Sequence, residues 1–174
     1  MAAAFLAATA LVATGRGDVM TGADRVALTA HPVLAGLSTA ALDRLMPLVT
    51  VVQAAAGSWL GREGAPATEF HLVRSGSVAL EMHAPGCPAT RLETLGSGDL
   101  LGWSWLVPPY RWQFDALAVT AVGLFSVDAG RLRTAMAAEP SLGYPLLSRF
   151  LPLAVNRLQA ARFRLMDAYG NVQG

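Results

Sequence analysis

Residues 69–82 read EFHLVRSGSVALEM. Two apolar runs, rich in Phe, Leu and Val, flank Ser75-Gly76-Ser77, which predicts a strand, a tight turn at Gly76 and a return strand. Working outward, runs of the same kind occur at 49–54 (VTVVQA), 58–63 (SWLGRE), 90–95 (TRLETL), 99–106 (DLLGWSWL), 112–121 (WQFDALAVTA) and 124–128 (LFSVD). Glycines at 57, 64, 76, 86, 96 and 123 punctuate them. Strands this short and this closely spaced leave no room for the crossover helices of a parallel sheet, so an antiparallel sandwich or roll is expected between 49 and 128.

Helical periodicity appears on both sides. In LSTAALDRLMPLV (37–49), Ser38 is placed as an N-cap and Leu42, Leu45 and Met46 share a face, which predicts a helix of about three turns ended by Pro47. DAGRLRTAMAAEP (128–140) predicts a second short helix closed by Pro140. From about Pro145 to Tyr169, Leu147, Leu151, Ala154, Leu158, Ala161, Leu165 and Ala168 alternate spacings of four and three, the seam of a coiled coil. Such a seam seeks a partner helix or the chain's own roll, and Pro152 interrupts its first half.

Bulk properties narrow the function. The chain has 174 residues, 53% hydrophobic and 14% charged, enough for one folded domain. Its formal net charge of +1 provides no concentrated basic field for nucleic acid. All 13 basic residues are arginine, a coding bias from which no function follows. Cys87 is the only cysteine, which rules out an internal disulfide and fits a reducing, cytoplasmic setting. The apolar run at 2–13 has its first basic residue, Arg16, after it, the wrong order for a secretion signal, and it is too short to span a membrane. Residues 1–30 are expected to be a loose tail, with the first 19 a start-site extension; 31–140 form the roll and 141–174 a helix for dimerisation or docking.

HPVLAGLSTAALDRL (31–45), EFHLVRSGSVALEM (69–82) and GSGDLLGWSWL (96–106), in that order and followed by a short and then a long helix, resemble the cyclic-nucleotide-binding domains of the bacterial Crp/Fnr-like (catabolite activator protein) superfamily. The resemblance covers about residues 31–169. It implies a mainly β fold with flanking helices, a double-stranded β-helix or jelly roll followed by a long C-terminal helix. It also implies that GSGDLLG opens a phosphate-binding cassette leading into a short helical turn. Nucleotide-binding members usually follow the second cassette glycine with a glutamate for the ribose, and here that position is Trp103. About ten residues on they place an arginine that pairs with the cyclic phosphate. Counting forward reaches Gln113, and counting back from the next strand reaches Trp112.

Arg111, one or two residues away, and the backbone amides after Gly102 are the remaining candidates for an anion. The candidate pocket is therefore Gly102, Trp103, Ser104, Arg111, Trp112 and Gln113, with cyclic AMP or cyclic GMP as the ligand the family implies. Trp103 and Trp105 alternate like strand residues, and with Trp112 and Phe114 they either fill that pocket or stack on a flat ligand. Pro108 and Pro109 stiffen the tip of the loop.

Other chemistry finds little support. His31, His71 and His83 lack metal-ligand spacing, although Glu81 and His83 share a strand face, and Cys87 with His83 is thin ground for haem. No serine or cysteine lies in a nucleophile motif, so catalysis is not expected. The winged helix-turn-helix that follows the long helix in the family's transcription factors is not expected here, and Arg157, Arg162 and Arg164 read as a solvated basic flank. The expectation is a cytoplasmic regulatory or sensor module acting through protein contacts, as a homodimer through the last helix or with an unknown protein partner. It is not expected to bind DNA directly or to enter a membrane. The alternatives are a ligand-free scaffold and a transcriptional regulator lacking its own DNA-binding domain.

Overall fold

The computed structural model describes residues 20–83 and 88–170. Among them, eight strands form two antiparallel sheets enclosing one apolar core, a β-roll with flanking helices. One sheet has the order β1 (Val49–Ala54), β8 (Val122–Asp128), β3 (Glu69–Ser75), β6 (Leu100–Leu101). The other has β2 (Trp59–Gly61), β7 (Asp115–Ala118), β4 (Val78–Met82), β5 (Thr90–Leu95). Cys87, Gly86, residues 1–19 and residues 171–174 lie outside the described residues.

The stretch 69–82 is not a hairpin. β3 pairs with β8 on one edge and β6 on the other, while β4 pairs with β7 and β5. With both edges of β3 taken, β4 has nowhere to add beside it. Gly76, at φ +85°, instead carries the chain from one sheet to the other. Leu72 and Val73 before the turn, and Val78 and Ala79 after it, are fully buried. The two-residue link thus joins the two layers of the core.

The loop expected as a strand over 99–106 divides in three. Leu100 and Leu101 form β6, Gly102 adopts φ +92°, and Trp103–Trp105 form a 3-10 turn. A left-handed residue cannot continue a strand, so the alternation of Trp103 and Trp105 is the spacing of a turn. Asp99 shapes the approach, since its Oδ2 accepts the Gly96 amide at 2.8 Å.

Helix α1 (Gly22–Thr29) falls inside the stretch expected as a loose tail. Thr21 and Asp24 form a reciprocal capping box, Leu28 is fully buried, and Arg74 Nη1 donates to Asp24 Oδ1 at 2.5 Å. These contacts fasten α1 to β3. Helix α2 (Thr39–Leu45) is capped by Ser38 as expected, but Pro47 lies in a 3-10 turn, Met46–Leu48, which extends the helix end. Helix α3 (Ala129–Ala138) starts at the Asp128 cap.

Helix α4 (Pro140–Gly170) begins at Pro140, not near Pro145, and runs through both Pro145 and Pro152. Proline suits the first position of a helix because its missing N–H has no partner there anyway. Leu142, Leu146 and Phe150 are buried against the roll. Leu147, Leu151 and Leu158, on the expected seam, are exposed, and the side chains of Leu165 and Ala168 lie outside the described set. The helix therefore carries two apolar stripes, and its own roll takes the one that was not singled out. Among the described residues no helix is long and apolar enough to cross a membrane.

Candidate functional site

The aromatic residues of 103–114 separate into core and wall. Trp105 is fully buried, stacked on Phe70 with centroids 4.5 Å apart, and its other neighbour is the Phe150 edge at 5.7 Å. Arg133 from α3 donates to the Trp105 carbonyl at 2.8 Å, which ties the turn to the helical end of the domain. Trp112 is also buried. An added Cβ at Gly61 would come within 2.5 Å of its ring, and one at Gly102 within 2.9 Å. Two glycines thus make the slot that admits the indole, and its inner neighbour is the His71 ring, with centroids 6.3 Å apart. Trp103 is half-buried and faces a cavity, with the Phe150 ring set edge-on at 6.3 Å.

That cavity has a volume of about 780 Å³, within the range of small-molecule sites. Gly102, Trp103, Ser104, Trp112, Gln113 and Phe114 supply one wall, and Leu80, Met82 and residues 90–93 of β4 and β5 supply the second. Arg157, Leu158 and Ala161 of α4 close the third. Of the six residues expected to form a pocket, five line it together. Arg111 does not. Its guanidinium donates to the Gly64 carbonyl at 2.6 Å, and Pro66 bridges to its backbone, so it is committed to the β2–β3 loop. Gln113 also spends its amide locally, donating to the Arg111 carbonyl at 3.2 Å. The turn after Gly102 spans three residues, Trp103–Trp105.

The arginine that does reach the cavity is Arg157, which sequence reasoning placed on a solvated flank. Its Nε lies 3.6 Å from Glu93 Oε1, and its guanidinium carbon is 5.6 Å from the Trp103 ring centroid. Burial pulls its pKa below the ordinary guanidinium value, while Glu93 and Asp99 push the other way. Arg157 Nη1 and Trp103 Nε1 are both buried without a hydrogen-bond partner among the described residues. A sequence signal existed: Leu142, Leu146, Phe150, Leu153 and Arg157 follow one another at spacings of four, four, three and four, the same inward face.

Two buried polar clusters stand apart from the cavity. Asp115 accepts the Glu63 amide at 2.7 Å and lies within 3.3 Å of Arg62 and 3.0 Å of His83. Glu81 pairs instead with Arg91 at 3.5 Å, so Glu81 and His83 serve different partners. His31 bridges β3 and the loop before α2, with Nε2 3.2 Å from the Val73 carbonyl and Nδ1 accepting the Val33 amide. Burial holds His31 below the usual histidine value and pushes His71 down to about 4.

The family model for the cyclic nucleotide-binding domain matches residues 51–139. No curated protein matches the sequence. Among solved structures, a cyclic nucleotide-binding domain from Methylobacillus flagellatus KT is 19% identical with a TM-score of 0.74, over 84% of this chain and 86% of that one. The catabolite activator protein of Thermus thermophilus is 22% identical with a TM-score of 0.63, over 79% of this chain and 63% of that one. The sensor domain of the transcriptional regulator DNR from Pseudomonas aeruginosa is 20% identical with a TM-score of 0.64, over 79% and 92%. At these identities the structures speak for the fold alone. The family match spans more than half of the chain, across both sheets and the cassette turn, and the chain belongs to the cyclic nucleotide-binding domain family, with Crp/Fnr-like regulators as structural neighbours.

Proposed function

We propose that the protein is a non-catalytic regulatory module that senses a small molecule in the cavity between roll and α4 and passes its occupancy to a protein partner. The observation carrying this reading is that one cavity is walled both by the cassette turn, through Trp103 and Ser104, and by α4, through Arg157, Leu158 and Ala161. A ligand there touches both elements, and any preference for one placement of α4 shifts the helix population. The partner is a second copy, docked through the exposed Leu147, Leu151 and Leu158 of α4. Output through protein contact, without direct reading of DNA, in a reducing cytoplasmic setting, accords with the single cysteine and the near-neutral charge.

Calorimetric titration with cyclic AMP and cyclic GMP, together with hydrogen exchange over α4, tests this. A ligand that binds and changes protection in 140–170 supports the sensor. A ligand that binds and leaves α4 untouched defeats it. The exposed apolar stripe also favours a second reading, a ligand-free scaffold, for which dimerisation is independent of any ligand.

A further inference from the structure

We infer that the cavity is built for an apolar molecule with a single oxyanion head, a carboxylate above all, held by Arg157 and Trp103; this rests on the sensor reading and names its ligand class. The body of the site is apolar: Leu80, Met82, Leu92, Phe114 and Leu158 stand around it. A ribose and a cyclic phosphate need several polar partners, and on the cassette wall Ser104 carries the one hydroxyl that faces the cavity. Gln113 donates to the Arg111 carbonyl, Arg111 donates to Gly64, and Trp103 occupies the position where the family's carboxylate meets the sugar.

The fully buried polar atoms that the cavity lining leaves unsatisfied are both donors. Trp103 Nε1 and Arg157 Nη1 are buried donors with no acceptor among the described residues. A buried donor is costly to leave unpaired, so the complementary ligand brings an acceptor. Because one of the two donors is a guanidinium, a charged oxygen is favoured over a neutral one. The Glu93 carboxylate lies 3.6 Å from Nε, beyond hydrogen-bond length, and Nη1, with no acceptor among the described residues, is left for the ligand. Glu93 and Asp99 already oppose the charge of Arg157, and Arg91 pairs with Glu81, so negative charge beyond a single head has no unpaired cation to meet among the lining residues. A monoanion on an apolar body satisfies these conditions together.

The test uses 1-naphthoate and its uncharged isostere 1-naphthamide as calorimetric probes of the full chain, with cyclic AMP as a third arm. Naphthoate is expected to bind tighter than naphthamide by about tenfold or more. Arg157→Met should erase that gap while leaving naphthamide binding in place, and Trp103→Phe should narrow it. Unfolding midpoints of the variants show whether each still folds, and Arg157→Lys, which keeps the charge, should retain part of the preference. Equal affinity for the two probes, a preference that survives Arg157→Met, or binding of cyclic AMP with neither naphthalene binding, overturns the assignment. Naphthoate binding with no change in α4 protection defeats the sensor reading alone and leaves the ligand class standing.

Discussion

The guanidinium carbon of Arg157 lies 5.6 Å from the centroid of the Trp103 ring, so a cation of α4 meets the aromatic face of the 3-10 turn after Gly102. The contact is partly buried, and its anionic partner Glu93 sits 3.6 Å away, within ion-pair range but beyond hydrogen-bond length. A cation in that setting gains little from its pair and is poorly hydrated.

Arg157→Met relieves a buried cation but leaves the partly exposed Glu93 without its partner, so it is expected to change stability by no more than about 1 kcal/mol in either direction, read from urea unfolding. A loss above about 2 kcal/mol would mean that the Glu93 pair holds α4 in place.

The slot around Trp112 makes a sharper case. Gly61→Ala is expected to cost about 1–3 kcal/mol, because its Cβ would come within 2.5 Å of the indole. Trp112→Leu in the same chain should recover part of that cost, giving a non-additive double mutant cycle. Additive effects would place the strain elsewhere.

The two stripes of α4 should respond differently. Phe150→Ala, removing a ring fully buried against Phe70 and Trp105, is expected to cost about 3–5 kcal/mol. Leu151→Ala, one residue on and exposed, should change the stability of the monomer by less than about 0.5 kcal/mol and weaken self-association in light scattering. A wild-type chain that stays monomeric at every concentration removes the dimer from the proposal.

Acid should destabilise the fold before the carboxylates titrate. Unfolded histidine binds a proton near 6.5 and folded His71 only at about 4, so the unfolded state is the first to gain protons as pH falls. The expected loss from His71 is about 3 kcal/mol between about pH 7 and about pH 4. His31 has the same sign. Asp24, held below the usual carboxylate value mainly by the Thr21 hydroxyl and amide, adds its loss only at lower pH. His71→Gln should flatten most of the slope in thermal unfolding against pH, and a flat wild-type profile would contradict the burial of that ring.

The β-rich centre, the Ser38 cap and the short helix after Asp128 follow from patterns of one element and were legible in the chain, whereas the turn at 103–105 came from the family resemblance and its alternating tryptophans read as a strand. What escaped depends on relations between elements. Gly76 reads as a hairpin turn because turn chemistry says nothing about whether the neighbouring edge is free, and here β8 and β6 occupy both edges of β3. In α4, two stripes satisfy the same three-and-four spacing. Only packing decides that Phe150 faces inward while Leu151 does not. Arg157 follows from that choice, since a residue in register with Phe150 is drawn toward the cavity whatever its charge. Arg111 was misplaced for another reason: one or two residues from the expected position, it spends its guanidinium on the Gly64 carbonyl and lines no part of the cavity.

Trp112, set between the backbones of Gly61 and Gly102, also fixes the direction in which the domain can yield. Neither glycine has a side chain that can turn aside, and the ring has His71 behind it. The roll side of the cavity is an anvil. An occupant cannot gain room by moving that ring, so on the sensor reading proposed above the yielding has to come from the walls opposite Trp112, α4 among them.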